Sequence, residues 1–332
     1  MEYRQIGETD LKCSVITFGA WAIGGWKWGG TDRGEAVKAI KASYAEGVTS
    51  IDTAPAYGQG LSEEIVAEAI QNIPRDKVQI LTKFGLRWDI KQGVLFFKSK
   101  SNEGEDIEMY KFASKESIIK ECEDSLSRLK TDYIDLYQIH WHDVTTPIHE
   151  TMETLLRLKQ QGKIREVGVC NYTAEWMEEA EQTIKLASNQ VPYSMILREI
   201  EKDVAPYCIE NKKSIIAYSP LQRGILTGKI KPGHVFNEGD HRQEVSHYTN
   251  ENIKRTNKML DKLRPLAESK NASLAQLVLC WTIEQPGISI ALAGARNAEQ
   301  AVQNAKAVDV KLSKEEISFI SKQIQKLELE PI

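Results

Sequence analysis

Eight short β-branched runs alternate with amphipathic helical segments along the chain, and this alternation is the strongest constraint on its fold. The strands read "VITFGA" (15–20), "SIDTA" (50–54), "VQILTK" (78–83), "YIDLYQIH" (133–140), "IREVGVC" (164–170), "LASNQ" (186–190), "SIIAYS" (214–219) and "SIALAG" (289–294). Many are nearly continuous apolar runs, the pattern of parallel strands buried on both faces. Between them lie segments with apolar residues at helical spacing, such as Val37, Ile40, Tyr44 and Val48, or Ile65, Val66, Ala69 and Ile70. Further helices are predicted at 115–129 and near 148–161, 173–183, 201–211, 252–269 and 297–306. Eight strand–helix units predict an α/β fold, a closed (β/α)8 TIM barrel occupying residues 1–332 as a single domain. An N-terminal hairpin ("YRQIG", "LKCS") and two extra helices, near 273–284 and 313–328, fall outside the count.

Two connections are long for a compact domain. Residues 86–113 follow the third strand and residues 222–251 the seventh, and both are read as partial lids. The cysteines Cys13, Cys122, Cys170, Cys208 and Cys280 are scattered and odd in number, which predicts reduced thiols and a cytoplasmic setting. "MEYRQIGETDLKC" has neither the basic nor the apolar region of a secretion signal. No run reaches the roughly 18 apolar residues of a membrane span. The net charge of −4 gives no reason to expect nucleic acid or an anionic membrane as partner.

In a parallel barrel the active site lies at the C-terminal ends of the strands. Six consecutive strands here deliver polar residues to that rim: Asp52, Lys83, His140, Asn171, Gln190, and Tyr218 with Ser219. Each alone has a structural explanation, since Asp52 can cap a turn, Lys83 can reach solvent and His140 can be a satisfied core histidine. Their common placement favours a site. His140 and His142 in "HWHD" would need further ligands to hold a metal, so no metal is predicted. Trp21, just beyond the first strand, is placed to line a pocket, whereas Trp26 and Trp28 read as loop packing. No G-x-G-x-x-G follows a strand, which removes a Rossmann site. "SPLQRGILTGK" (219–229) and "GARNAEQAVQNA" (294–305) follow strands seven and eight, where barrels frequently bind phosphate.

The sequence resembles the aldo-keto reductases over nearly its whole length, through "FGAW", "GVTSIDTAPAYGQGLSEE", "LTKFGLRWD", "DSLSRLKTDYIDLYQIHW", "GKIREVGVCNY", "SNQVPYS", "YSPLQRGILTGK" and "GARNAEQAVQNA". It is most similar to the bacterial general-stress and inositol-operon branch. The resemblance implies NADPH-dependent reduction of aldehydes or ketones, with a small carbonyl compound as substrate. It implies a catalytic tetrad of Asp52, Tyr57, Lys83 and His140. Tyr57 would be the proton donor, Lys83 the cation that lowers its pKa, Asp52 the support of Lys83, and His140 the group that orients the carbonyl. It further places Asn171 and Gln190 at the nicotinamide carboxamide and Tyr218 against the ring. Ser219, Leu221 and Gly224 fall along the pyrophosphate, Arg296 and Gln300 at the 2′-phosphate end, and Gln303 and Asn304 at the adenine. Ala20, Trp21, Asp52 and Gly294 complete the implied NADPH/NADP+ contacts. The chain departs from the family pattern at Cys170, where Ser is usual, and at His142 and "ALAG", where Pro is frequent.

Two other readings are carried beside this one. A reductase-like barrel can serve as an NADPH-binding sensor or regulatory subunit with little turnover, and a metallohydrolase can be built on His140 and His142. Turnover with simple aldehydes separates the first from a reductase, and metal analysis separates the second.

Overall fold

The computed structural model describes residues 1–330. An antiparallel hairpin, β1 (Tyr3–Gln5) with β2 (Lys12–Ser14), opens the chain. Eight parallel strands then close a barrel in the order β3 (Ile16–Gly19), β4 (Ser50–Asp52), β5 (Gln79–Phe84), β9 (Ile134–Ile139), β10 (Ile164–Cys170), β11 (Ser188–Pro192), β12 (Ser214–Tyr218) and β13 (Ile288–Gly294), with β13 returning to β3. The barrel and the hairpin are as the sequence predicts, although β11 starts two residues later than its apolar run.

The surrounding helices are α1 (Arg33–Ala45), α2 (Leu61–Ile70), α3 (Lys115–Leu129), α4 (Ile148–Gln160), α5 (Ala174–Glu181), α6 (Val204–Glu210), α7 (Asn250–Ser269) and α9 (Ala298–Ala305). The two extra helices are α8 (Leu274–Ile283) and α10 (Lys314–Gln325). Helix starts follow local chemistry. The side chains of Asp32, Ser114, Thr173, Ser273 and Ser313 each accept a hydrogen bond from a backbone N–H of the first turn, satisfying a donor the helix leaves unpaired.

Residues alternate across each strand, so one set faces the helices and the other fills the barrel. Leu81, Leu136, Ile216, Ile290 and Leu292 form the apolar interior, and Ile6, Leu11 and Cys13 of the hairpin segment join them. The hairpin therefore packs onto this interior cluster, leaving the opposite, C-terminal end for the polar layer.

Residues 86–113, read from the sequence as a partial lid, carry secondary structure of their own. They fold into a three-stranded antiparallel sheet of β6 (Leu86–Arg87), β8 (Asp106–Lys111) and β7 (Val94–Lys100). Trp26 Nε1 donates to Lys100 O at 2.9 Å, Asn102 Nδ2 donates to Gly24 O at 2.8 Å, and the rings of Phe96 and Trp141 lie 5.0 Å apart. The sheet is thus fastened to loops on the rim. Residues 222–251 carry 3-10 turns at Gln222–Thr227, His241–Glu244 and Ser246–Tyr248.

Candidate active site

The inward residues near the strand ends build a polar layer above the apolar interior. Asp52 ends β4, Lys83 lies on β5, Gln138 on β9 and Gln190 on β11; all four are buried. Lys83 Nζ donates to Asp52 Oδ1 at 2.5 Å and to Thr53 O at 2.9 Å. Gln190 Nε2 donates to the other oxygen, Asp52 Oδ2, at 2.7 Å. The carboxylate is held from both sides, and the ammonium is fixed by a charge and a carbonyl. Burial alone would push the Lys83 ammonium down, but the Asp52 charge and hydrogen bond, with Tyr57 and Cys170 nearby, raise its pKa above the ordinary lysine value.

Tyr57 sits in the turn after β4, half-buried, with Lys83 Nζ 5.0 Å from its ring centroid. Burial raises its phenol to about 12, the Lys83 charge opposes this, and the Asp52 charge adds to it. The expectation that Lys83 lowers this pKa is met in direction, but in the protein alone burial outweighs it. Tyr57 consequently holds its proton at neutral pH. His140, just past β9, packs edge-on against Tyr57 with centroids 5.8 Å apart. Burial first, then the Lys83 charge, holds His140 well below the ordinary histidine pKa, so its imidazole is neutral.

Asn171 follows β10 with φ 58° and links the next elements: its Nδ2 donates to His140 O at 3.2 Å, and Tyr218 Oη donates to its Oδ1 at 3.0 Å. Ser219 has φ 55° and Gly224 φ 105°, so the chain after β12 turns through left-handed conformations, favoured at glycine and costly at Ser219. Leu221 and Gly224 are half-buried there. Ala20 is fully buried, and its N–H donates to Asp52 O at 2.8 Å. The Trp21 ring lies 6.2 Å from that of Tyr57.

The last group lies on the β13–α9 connection. Arg296 Nη2 donates to Gly30 O at 2.8 Å, and the Arg296 N–H donates to Gln300 Oε1 at 2.9 Å. Asn304 Nδ2 closes on Gly294 O at 2.9 Å, and Gln303 Nε2 donates to Glu299 at 3.2 Å. Arg296, before α9, and Gln300, in its first turn, are therefore held together, while Gln303 and Asn304 are engaged by the helix and the strand end.

His140 and His142 do not meet at a common point. His142 packs on Trp176, with centroids 4.4 Å apart, whereas His140 faces Tyr57. Among the described residues no group of three or more His, Cys, Asp or Glu is placed to hold a metal ion. The five cysteines are unpaired and buried, Cys170 beside the polar layer.

Gln138 is the member of this layer that the sequence reading missed. Its Nε2 lies 3.4 Å from Asp52 Oδ2, and it pairs in register with Lys83 and with Gly168. A side chain at Gly168 would sit 3.1 Å from Gln138 Cγ and 2.6 Å from Ser188 Oγ, so the glycine makes room for the amide. The only signal was a lone Gln inside an apolar run.

The arrangement fits a dinucleotide. Gly19 and Gly294 pair across β3 and β13, and Gly294 is exposed, so a step of bare backbone borders the mouth. Amide side chains and Tyr218 lie on one side of that step, and the Arg296 guanidinium on the other.

A barrel whose rim carries a buried Asp–Lys pair beside a protonated tyrosine and a neutral histidine has the parts of a carbonyl reductase. Residues 15–325 match the aldo/keto reductase family, and the chain belongs to that family. The aldo-keto reductase YhdN of Bacillus subtilis (strain 168) is 40% identical over 302 residues, covering 90% of this chain and 86% of the relative. The NADH-specific methylglyoxal reductase of Escherichia coli (strain K12) is 36% identical over 328 residues, 97% and 98% of the two chains. A solved glycerol dehydrogenase from Gluconobacter oxydans superposes with a TM-score of 0.88 at 35% identity over 99% of this chain and 97% of its own. An aldo/keto reductase from Klebsiella pneumoniae, solved with NADP and acetate, gives a TM-score of 0.72 at 28% identity over 97% and 95%. The protein is accordingly an oxidoreductase that reduces carbonyl groups with a nicotinamide cofactor.

Proposed function

We propose that the chain is an NADPH-dependent reductase of small aldehydes and ketones in which Tyr57 protonates the carbonyl oxygen. The observation that carries this reading is the Lys83 ammonium, fixed 2.5 Å from Asp52 and 5.0 Å from the Tyr57 ring. When bound, the cofactor supplies the hydride. The protein's part is to place the carbonyl and move one proton. His140, neutral, orients the carbonyl oxygen toward Tyr57 through a hydrogen bond. Tyr57 holds a proton that no competing base removes at neutral pH. As negative charge grows on the substrate oxygen, the phenol gives up its proton, and Lys83 stabilises the phenolate left behind. Asp52 keeps Lys83 charged and aimed, and Gln190 holds Asp52.

The coenzyme is assigned to NADPH because Arg296 can pair with a 2′-phosphate, with Gln300 beside it. Asn171, Gln190 and Tyr218 are assigned to the nicotinamide, and Ser219, Leu221 and Gly224 to the pyrophosphate. Gln303 and Asn304 are assigned to the adenine, and Ala20, Trp21 and Gly294 to the walls. Five unpaired cysteines support a reducing, cytoplasmic setting. No described helix is long and apolar enough to cross a membrane. The test is NADPH oxidation with simple aldehydes by wild type and Tyr57→Phe. Turnover lost in the variant while cofactor binding persists supports the reading; NADPH binding without turnover in wild type returns the protein to the sensor reading.

A further inference from the structure

Arg223 follows β12, three residues beyond the Pro220 turn, and its backbone is left-handed at φ 55°, directly after Gln222 at φ 45°. Two successive non-glycine residues in this region are strained, and such strain persists only where the surroundings enforce it. Here Tyr248 Oη donates to Gln222 O at 2.8 Å, and Arg242 Nη1 donates to Arg223 O at 3.2 Å. The enforced conformation lays the Arg223 guanidinium over Trp21, with Cζ 5.6 Å from the ring centroid. Trp21 is also the neighbour of Tyr57, at 6.2 Å. Arg223 and the proton donor thus both neighbour the same indole, and Arg223 is half-buried there.

No anion answers it. Among the described residues, every other arginine that is not exposed donates to a carboxylate or to backbone carbonyls. Arg4 reaches Glu2, Arg75 Asp135, Arg87 Asp89, Arg128 Glu63, Arg198 Glu201, Arg242 Asp240, Arg255 Glu251, Arg264 Asp261 and Arg296 the carbonyl of Gly30. Arg223 makes no such bond, and burial pushes its pKa down. A partly buried guanidinium without a partner is costly to hold, and its planar fork matches carboxylate and phosphate.

We propose that Arg223 is the specificity-determining residue for carbonyl substrates that carry a carboxylate or phosphate at the end remote from the reacting carbon. The aldehyde or ketone lies at Tyr57, the chain of the substrate passes along Trp21, and its anionic end pairs with Arg223. The proposal rests on the reductase reading above. The same chemistry could come from a phosphate of the coenzyme, and the test separates the two sources.

The probes are succinic semialdehyde and glyceraldehyde 3-phosphate as anionic substrates and butyraldehyde as a neutral one, each with NADPH. Wild type should show KM for the anionic probes roughly tenfold to hundredfold below that for butyraldehyde, the worth of a charge-assisted hydrogen bond. Arg223→Met, which keeps apolar contact with Trp21, should remove that advantage while leaving butyraldehyde kinetics and the NADPH Kd unchanged. Arg223→Lys should recover part of it. Equal KM values for charged and neutral aldehydes in wild type would overturn the proposal, and this arm needs no variant to fold. A raised NADPH Kd in Arg223→Met with no change in substrate discrimination would also overturn it, assigning Arg223 to the coenzyme. Absence of turnover with all three aldehydes in wild type would instead reject the reductase reading itself.

Discussion

Lys83 Nζ lies 2.5 Å from Asp52 Oδ1, with both side chains sealed from solvent on adjacent strands β5 and β4. The pair is held further by Gln190 on the carboxylate and Thr53 O on the ammonium. Taking two charges out of water is costly, and removing one partner strands the other.

Asp52→Asn should therefore destabilise the fold by about 3–5 kcal/mol, the usual penalty for breaking a buried pair. With the countercharge gone, burial dominates at Lys83, so its pKa falls and the ammonium is lost at lower pH. Denaturant midpoints and the alkaline limb of the kcat–pH profile read the two effects. An unchanged midpoint would show that the pair is not load-sharing in the fold.

Arg296→Ala should weaken NADPH by roughly tenfold to hundredfold, about 1.5–3 kcal/mol for a charge-assisted hydrogen bond, and spare NADH. Fluorescence titration with each coenzyme measures this. Equal losses for both would mean that Arg296 serves only its bonds to the 28–30 loop.

The barrel was legible because buried parallel strands write themselves as apolar runs, and the strand ends then exposed Asp52, Lys83, Asn171 and Gln190 as a set. The β7–β8 hairpin was not. Its strand "VLFFKSK" leaves Val94, Leu95 and Phe96 at the surface, and the register shifts between Leu95 and Phe97, so no clean alternation marks it. Gln138 was hidden because a polar residue that faces the barrel interior has the same neighbours in sequence as a core residue. Arg223 was hidden for another reason: its direction comes from two left-handed residues enforced by Tyr248 and Arg242, contacts made across 26 and 19 positions of chain. The net rise of the Tyr57 pKa was not legible because sequence names the cation beside the phenol but not the burial that outweighs it.

His241 gives a pH dependence. Its Nδ1 donates to Lys27 O at 2.5 Å, and burial first lowers its pKa from 6.5 to about 4. Between those values the unfolded chain binds a proton that the native state refuses, so stability falls as pH drops from 6.5 toward 4. His241→Asn should flatten this part of the melting-temperature profile. A profile with the same slope as wild type would place the acid sensitivity elsewhere.

Removing the β7–β8 hairpin, residues 94–111, should raise KM for bulky aldehydes and leave the NADPH Kd near its wild-type value, because the hairpin meets the rim at Gly24, Trp26 and Trp141 rather than at the β12 and β13 loops. A KM that stays constant across a series of increasing bulk would remove the hairpin from the pocket.

In the proposed reaction Tyr57 donates the proton and Lys83 supports it in that one step. Tyr57→Phe deletes one oxygen and keeps the ring, and the loss of a general acid slows a reaction by roughly 10²–10⁴-fold. Lys83→Met leaves the phenol but removes the charge that opposes its rise, and it should slow the same step. Groups that serve one proton transfer are not additive. The decisive measurement is single-turnover NADPH oxidation by wild type, both single variants and the double variant, each first shown to bind NADPH. Both single variants should lose most of the rate, with little further loss in the double. Near-wild-type turnover in Tyr57→Phe, or multiplied losses in the double variant, would contradict it.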